Sequence, residues 1–290
     1  MPPPLPFSLA RMLLAPLLLW QGRQVRRRTV RLPEAAGARL GLAGIGQGGS
    51  AMPRLRLLIV GDSSGAGVGA ATQDEALAGR LGQALARLLH APVAWQLVAQ
   101  SGWTTPQATE ALATLAGQGR LPPADVLVTA LGVNDAIAMT SPARWLRQLD
   151  ALERQARELA GVRHLVLTAV PPLEHAAGLP QPLRAMLGRS ARRLDDGLRQ
   201  WAAGSGARLH VEPPFDPATE RAAELLAADG FHPGPALYRR WAEALAAQIA
   251  ADWPVTPALD QPAVAAGAGV TGAGVTGGSG RGRPSRSIAT

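Results

Sequence analysis

The sequence predicts a three-layer α/β/α sandwich built on a five-stranded parallel sheet. Short apolar runs of strand length alternate along it with longer segments of helical periodicity. The runs are rich in Val, Ile and Leu with little polar alternation, as strands covered on both faces are. Three helical segments open on proline behind a residue able to start a helix: Thr105-Pro106, Ser141-Pro142 and Gly234-Pro235.

In chain order, strand signals fall at residues 55–60, 93–99, 126–131, 164–170 and 208–211. Helical patterns fall between and after them, at about 74–89, 106–115, 142–160, 183–203 and 235–253. Strands separated by helices pair in parallel, because the crossover returns the chain to the same edge of the sheet. This core, residues 51–254, is expected to be one domain.

The two ends differ from the core in composition. All 29 basic residues are arginine, and the net charge of +8 is unevenly spread. Residues 1–60 hold nine Arg against Glu34 alone, whereas residues 61–253 hold 17 Arg against 19 acids. A nearly neutral core argues against a nucleic-acid-binding face. Residues 7–20 form an apolar run broken by Arg11 and Pro16 and followed by Arg23, Arg26, Arg27 and Arg28. It is too short to span a bilayer, and its basic cluster is on the wrong side for a signal peptide. Residues 7–31 fit either peripheral contact with a membrane surface or a helix packed on the domain itself. Residues 34–50 are glycine-rich and aperiodic and read as a linker, completing an N-terminal segment 1–50. The Ala/Gly-rich stretch 255–290 has too little apolar bulk for a core and reads as disordered. With no cysteine, a thiol nucleophile and disulfides are excluded.

The chemistry concentrates where strands end. The first core strand runs into Gly61-Asp62-Ser63-Ser64-Gly65, a serine on a tight turn at a sheet's carboxyl edge, where open α/β sheets build their sites. Small neighbours allow close approach of substrate to the backbone. A serine nucleophile needs a base within reach and a group that orients the base. Of the five histidines, His90 closes a helix, His164 and His210 belong to strands, and His175 falls in a proline-rich loop after the fourth strand. His232 belongs to Asp229-Gly230-Phe231-His232-Pro233, a turn in which the carboxylate can meet the imidazole from behind. Leu131-Gly132-Val133-Asn134-Asp135 follows the third strand and offers an amide to a developing oxyanion. Gln100-Ser101-Gly102 follows the second, and Gly102 offers a bare backbone N–H.

Taken in order, Gly61-Asp62-Ser63, Gly102, Gly132-Val133-Asn134-Asp135 and Asp229-Gly230-Phe231-His232-Pro233 resemble the blocks of the SGNH (GDSL-type) hydrolases over residues 54–253. The resemblance implies a flavodoxin-like sandwich with no cofactor and no metal, acting as a carboxylic ester hydrolase on a small-molecule or lipid ester. It implies Ser63 as nucleophile, His232 as base and Asp229 as its orienter. The oxyanion hole would consist of the Ser63 and Gly102 backbone N–H groups and the Asn134 side chain. Ser64 stands where the family motif has leucine, which bears on substrate preference rather than on the reaction. Gly61 to Gly65 also satisfies the Gly-x-Ser-x-Gly turn of α/β-hydrolases, but those enzymes place several strands before the nucleophile. Two rivals remain: a non-catalytic membrane-surface binding protein, and a metal-dependent phosphatase using Asp62, Asp135, Asp229 and His232.

Overall fold

A computed structural model describes residues 7–28, 30–45, 52–176, 178–212, 214–215, 220 and 222–252. The tail read as disordered, 255–290, lies outside the described residues.

All five expected parallel strands form: β2 (Leu55–Gly61), β3 (Val93–Ala99), β4 (Val126–Ala130), β5 (His164–Thr168) and β6 (Arg208–Val211). A sixth strand, β1 (Leu40–Ala43), precedes them, so the sheet is mixed and its order is β1-β3-β2-β4-β5-β6. The expected count of five is corrected to six. The linker reading of 34–50 fails at the same place, because β1 pairs antiparallel with β3, Leu40 opposite Gln96 and Ala43 opposite Val93. It is a half-exposed edge strand of four residues, too short for an alternating pattern to register. Gly41 is required there, since a Cβ would come within 2.7 Å of the Trp95 ring.

The order of the parallel strands, β3-β2-β4-β5-β6, is the flavodoxin-like 2-1-3-4-5. The chain leaves β2 first for β3 on one side and then for β4 on the other. A crevice therefore opens at the carboxyl ends of β2 and β4, and both the serine and the asparagine turns emerge there.

The helices cover both faces. α2 (Leu77–Leu89) and α8 (Pro235–Asp252) pack together over one face, where Leu57, Ile59, Leu81, Leu85, Leu245 and Ile249 are buried. α3 (Thr105–Gly117), α5 (Pro142–Ala160) and α6 (Leu183–Ala203) cover the other, over Leu58, Val60, Leu127, Leu149 and Leu194. Thr104 caps α3 in a reciprocal pair with Gln107, which leaves the following proline to occupy the first turn. Trp145 of α5 is fully buried and donates its indole N–H to Thr105 Oγ1 at 2.9 Å, joining α5 to α3.

Two short helices lie in the loops, α4 (Val133–Ile137) and α7 (Ala222–Leu225). The apolar and basic N-terminal segment is one helix, α1 (Phe7–Arg28), which continues through Pro16. Its second half packs on the α6 face, with Leu18 buried and Leu14 and Val25 against the same core. Packing on the domain, one of the two readings of this segment, is therefore observed for its inner face, and Leu17, Leu19 and Trp20 on the other side are exposed. Among the described residues no helix is long and apolar enough to cross a membrane.

Candidate active site

The turn after β2 is held from several sides. Gly61 and Gly65 approach so closely that a Cβ on either would lie 2.7–2.8 Å from the other's Cα. Ala66 N–H donates to Asp62 O at 2.8 Å and Val68 N–H to Ser63 O at 3.0 Å, which folds the turn back on itself. The Tyr238 hydroxyl, from the first turns of α8, lies 3.0 Å from Ser64 O and 2.8 Å from Val68 O.

His232 comes from the loop just before α8. Ala227 N–H donates to His232 O and Gly234 N–H to Leu225 O, both at 2.8 Å, so the loop is tied at its base. Gly230 takes a left-handed φ of 66°, which turns the chain between Asp229 and His232. The two loops meet backbone to backbone at Gly69, where a Cβ would fall 2.2 Å from Pro233 O.

These constraints bring Ser63, His232 and Asp229 into one hydrogen-bonded series. Ser63 Oγ is 2.9 Å from His232 Nε2, and His232 Nδ1 is 2.6 Å from Asp229 Oδ2. The other Asp229 oxygen accepts the Phe231 and His232 backbone N–H groups at 3.0 Å each. Burial would raise the Asp229 carboxyl, but hydrogen bonds from the His232 ring and from those two N–H groups hold it below its ordinary value. The carboxylate side chain is 1% exposed and the imidazole 19%, so the series runs from an occluded anion to a partly open serine.

Asn134 stands on α4, directly after β4. Gly132 before it has φ 122°, and a Cβ there would strike Val170 and Trp145. Asn134 Nδ2 donates to Trp103 O at 3.0 Å and, at a looser 3.3 Å, to Asp62 Oδ2. Gly102 lies in the turn after β3 with φ 87°. Among the described residues no hydrogen bond uses the N–H of Gly102 or of Ser63.

Two buried acids support this arrangement. Asp62 accepts Ser64 N–H at 3.0 Å and Ser64 Oγ–H at 2.9 Å on one oxygen and Asn134 on the other. Burial pushes its carboxyl up to about 6, against the Ser64 hydrogen bonds and the attraction of His232. Asp135 accepts Thr105 N–H and Oγ1–H, and burial raises its carboxyl as well. The sequence assigned Asp62 and Asp135 only to a metal-site alternative, assigned Tyr238 nothing, and took Thr105 as the start signal of α3, a place that Thr104 fills instead. An acid directly after an apolar strand was the one available signal. Among the described residues no three His, Asp or Glu side chains are grouped to hold a metal ion, so the phosphatase alternative has no donor set here.

A cleft of about 140 Å³ opens beside Ser63 and His232. Leu131, Leu173, Phe215, Phe231, Leu237 and Trp241 are among its mostly apolar lining. The proline-rich loop after β5 contributes Pro171, Pro172 and Leu173, with His175 exposed at its edge. Leu179 of this loop and Leu183, the first residue of α6, are buried in the core together with Leu173 but, unlike it, do not line the cleft. Gly102 and Asn134 are not among the lining residues. The remaining histidines lie elsewhere. His90 caps α2 in a left-handed conformation, His210 pairs with Asp195 at 3.1 Å, and His164 sits in β5.

The model of the GDSL-like lipase/acylhydrolase family matches residues 59–240, more than half of the chain. Solved structures share the fold at low identity. The lipase Lip_vut3 from a goat rumen metagenome superposes with a TM-score of 0.54 at 19% identity, over 70% of this chain and all of the other. A protein assigned to the G-D-S-L lipolytic family from Desulfitobacterium hafniense DCB-2 gives 0.53 at 13% identity, over 67% of this chain and 98% of the other. A carbohydrate esterase family 2 enzyme with its carbohydrate-binding domain, from Corynascus thermopiles, gives 0.53 at 17%, over 70% and 68%. No curated protein is significantly similar to the sequence.

Proposed function

Because the chain belongs to the GDSL-like lipase/acylhydrolase (SGNH hydrolase) family, we propose that it is a serine ester hydrolase in which Ser63 is the nucleophile. The observation that carries this is the unbroken series Ser63 Oγ, His232 Nε2, His232 Nδ1, Asp229 Oδ2, with spacings of 2.9 and 2.6 Å across its two contacts. In this reading neutral His232 accepts the Ser63 proton as Oγ bonds to the acyl carbon. Asp229 selects the tautomer that leaves Nε2 free to accept, and its anion stabilises the imidazolium that results.

The carbonyl oxygen becomes an oxyanion, and donors aimed at it lower the barrier because its charge appears only in the transition state. The donors are the Ser63 and Gly102 N–H groups and Asn134 Nδ2. The 3.3 Å contact of Nδ2 to Asp62 is the looser of its two and is the one an incoming oxyanion displaces. Collapse breaks the ester C–O bond, and the imidazolium returns its proton to the leaving alkoxide. A water activated by His232 then cleaves the acyl-enzyme and restores the serine. The apolar cleft beside Ser63 suits the acyl chain, which would lie against Leu173, Phe231 and Trp241.

The test is labelling with a fluorophosphonate followed by peptide mass mapping. One adduct per chain is expected, on Ser63, and Ser63→Ala is expected to remove both the adduct and the hydrolysis of activated esters. Hydrolysis persisting in a folded Ser63→Ala variant overturns the reading.

A further inference from the structure

Helix α1 has two faces that its position in the fold makes distinct. Leu14, Leu18, Gln21 and Val25, spaced four, three and four apart, turn toward the domain. Gln21 is buried and bonds the loop before α6 through both ends of its amide: Nε2 donates to Gln181 O at 2.7 Å, and Oε1 accepts Leu183 N–H at 3.2 Å. This is the segment whose earlier part, 171–176, walls the cleft.

Pro16, Trp20, Arg23 and Arg27 repeat the same spacing half a turn away and are exposed. Leu17, Leu19 and Trp20 are 41%, 59% and 57% exposed, three large apolar side chains within four consecutive positions. One helical turn on, Arg23, Arg27 and Arg28 are also exposed, and no ion pair among the described residues engages them. The 22 residues of α1 include no acid at all.

We propose that this outer face of α1 docks the protein on an anionic lipid surface. Trp20 and its leucine neighbours would enter the boundary between headgroups and acyl chains, and the arginines would lie against lipid phosphates. An aromatic at the junction of an apolar and a basic patch suits that depth, where the environment changes from hydrocarbon to charge. A protein partner would need acids matched to three fixed arginines. A membrane supplies negative charge along the whole row, so the absence of any acid from α1 favours lipid. A second copy of this face would place arginines against arginines. The inference is independent of the serine chemistry, because α1 contributes nothing to the site itself.

The test uses the full-length protein in vesicle flotation, with phosphatidylcholine alone and with a quarter phosphatidylglycerol. Flotation with the anionic vesicles only, and its weakening at high salt, are expected. Combined Arg23→Gln, Arg27→Gln and Arg28→Gln should lower the partition coefficient by about two orders of magnitude, at roughly fivefold per arginine. Leu19→Ser with Trp20→Ser should reduce it further at unchanged charge. Both variants should keep the thermal transition and the Ser63 labelling of the parent, since the substituted side chains are exposed. Equal flotation of parent and variants overturns the proposal. So does a parent that fails to float but elutes as a dimer that the combined Leu19→Ser and Trp20→Ser substitutions abolish, which would make the face a contact between copies.

Discussion

Tyr238 and Ser64, 174 positions apart, are joined by a hydrogen-bond contact of 3.0 Å between the tyrosine hydroxyl and the serine carbonyl. The same hydroxyl reaches Val68 O at 2.8 Å, so one fully buried side chain spans both ends of the Ser63 turn. Because α8 begins just after the His232 loop, the tyrosine also ties the support of Ser63 to that of His232.

Tyr238→Phe leaves the Val68 and Ser64 carbonyls without that donor and should cost about 1–2 kcal/mol of stability. Turnover should fall with it, since the turn that carries Ser63 loses a point of attachment. Denaturant titration and kcat measured on the same preparation check this. A stable variant with full activity would show that the contact contributes to neither.

Asn134→Ala separates an oxyanion donor from a turn residue. If Nδ2 stabilises charge that develops only in the transition state, kcat and kcat/KM should fall together by roughly 10²–10³, with KM little changed. Loss of the Trp103 contact alone would lower the thermal transition without that kinetic pattern. Steady-state kinetics on a series of activated esters, with the melting temperature as control, distinguishes the two.

Asp62 gives a prediction in pH. Its folded-state pKa of about 6 lies above the ordinary carboxylate value of 3.8, so between these values the native protein binds more protons than the unfolded chain. Stability contributed by this group is therefore complete below about 3.8 and is lost as pH rises through 6. The melting temperature of the parent minus that of Asp62→Asn should decrease from pH 4 to pH 7, as roughly set by that window. The changed hydrogen bonds to Ser64 and Asn134 offset the comparison at every pH, so the slope is the readout. A flat difference means that Asp62 titrates normally.

The elements that the sequence made legible are those with local signatures. α5 and α6 occupy the expected 142–160 and 183–203, because their apolar stripes and their starts and stops are encoded within the segments themselves. The five parallel strands were legible for the same reason. β1 was not: Leu40 and Leu42 face partly outward, and what makes the segment a strand is the free edge of β3, which no local pattern announces. The proximity of Ser63, Asp229 and His232 could be anticipated because the serine lies in one compact turn and the other two share a second. The supporting parts could not, since Tyr238 acts on backbone carbonyls of a distant segment and Asp62 owes its character to burial. Gln21 illustrates the limit at the N-terminus. A polar residue in a basic stretch reads as solvated, yet it is the bolt that fastens α1.

The contact of Gly69 with the Pro233 carbonyl bears on how this protein can be recombined with its relatives. The spacing between the Ser63 turn and the histidine loop is gauged by two backbones touching, with no side chain between them to absorb an error. A chimera that imports residues 61–69 from one parent and 229–234 from another therefore inherits two surfaces shaped against different counterparts. Crossovers that keep both stretches from the same parent preserve the gauge, wherever else the sequences are exchanged.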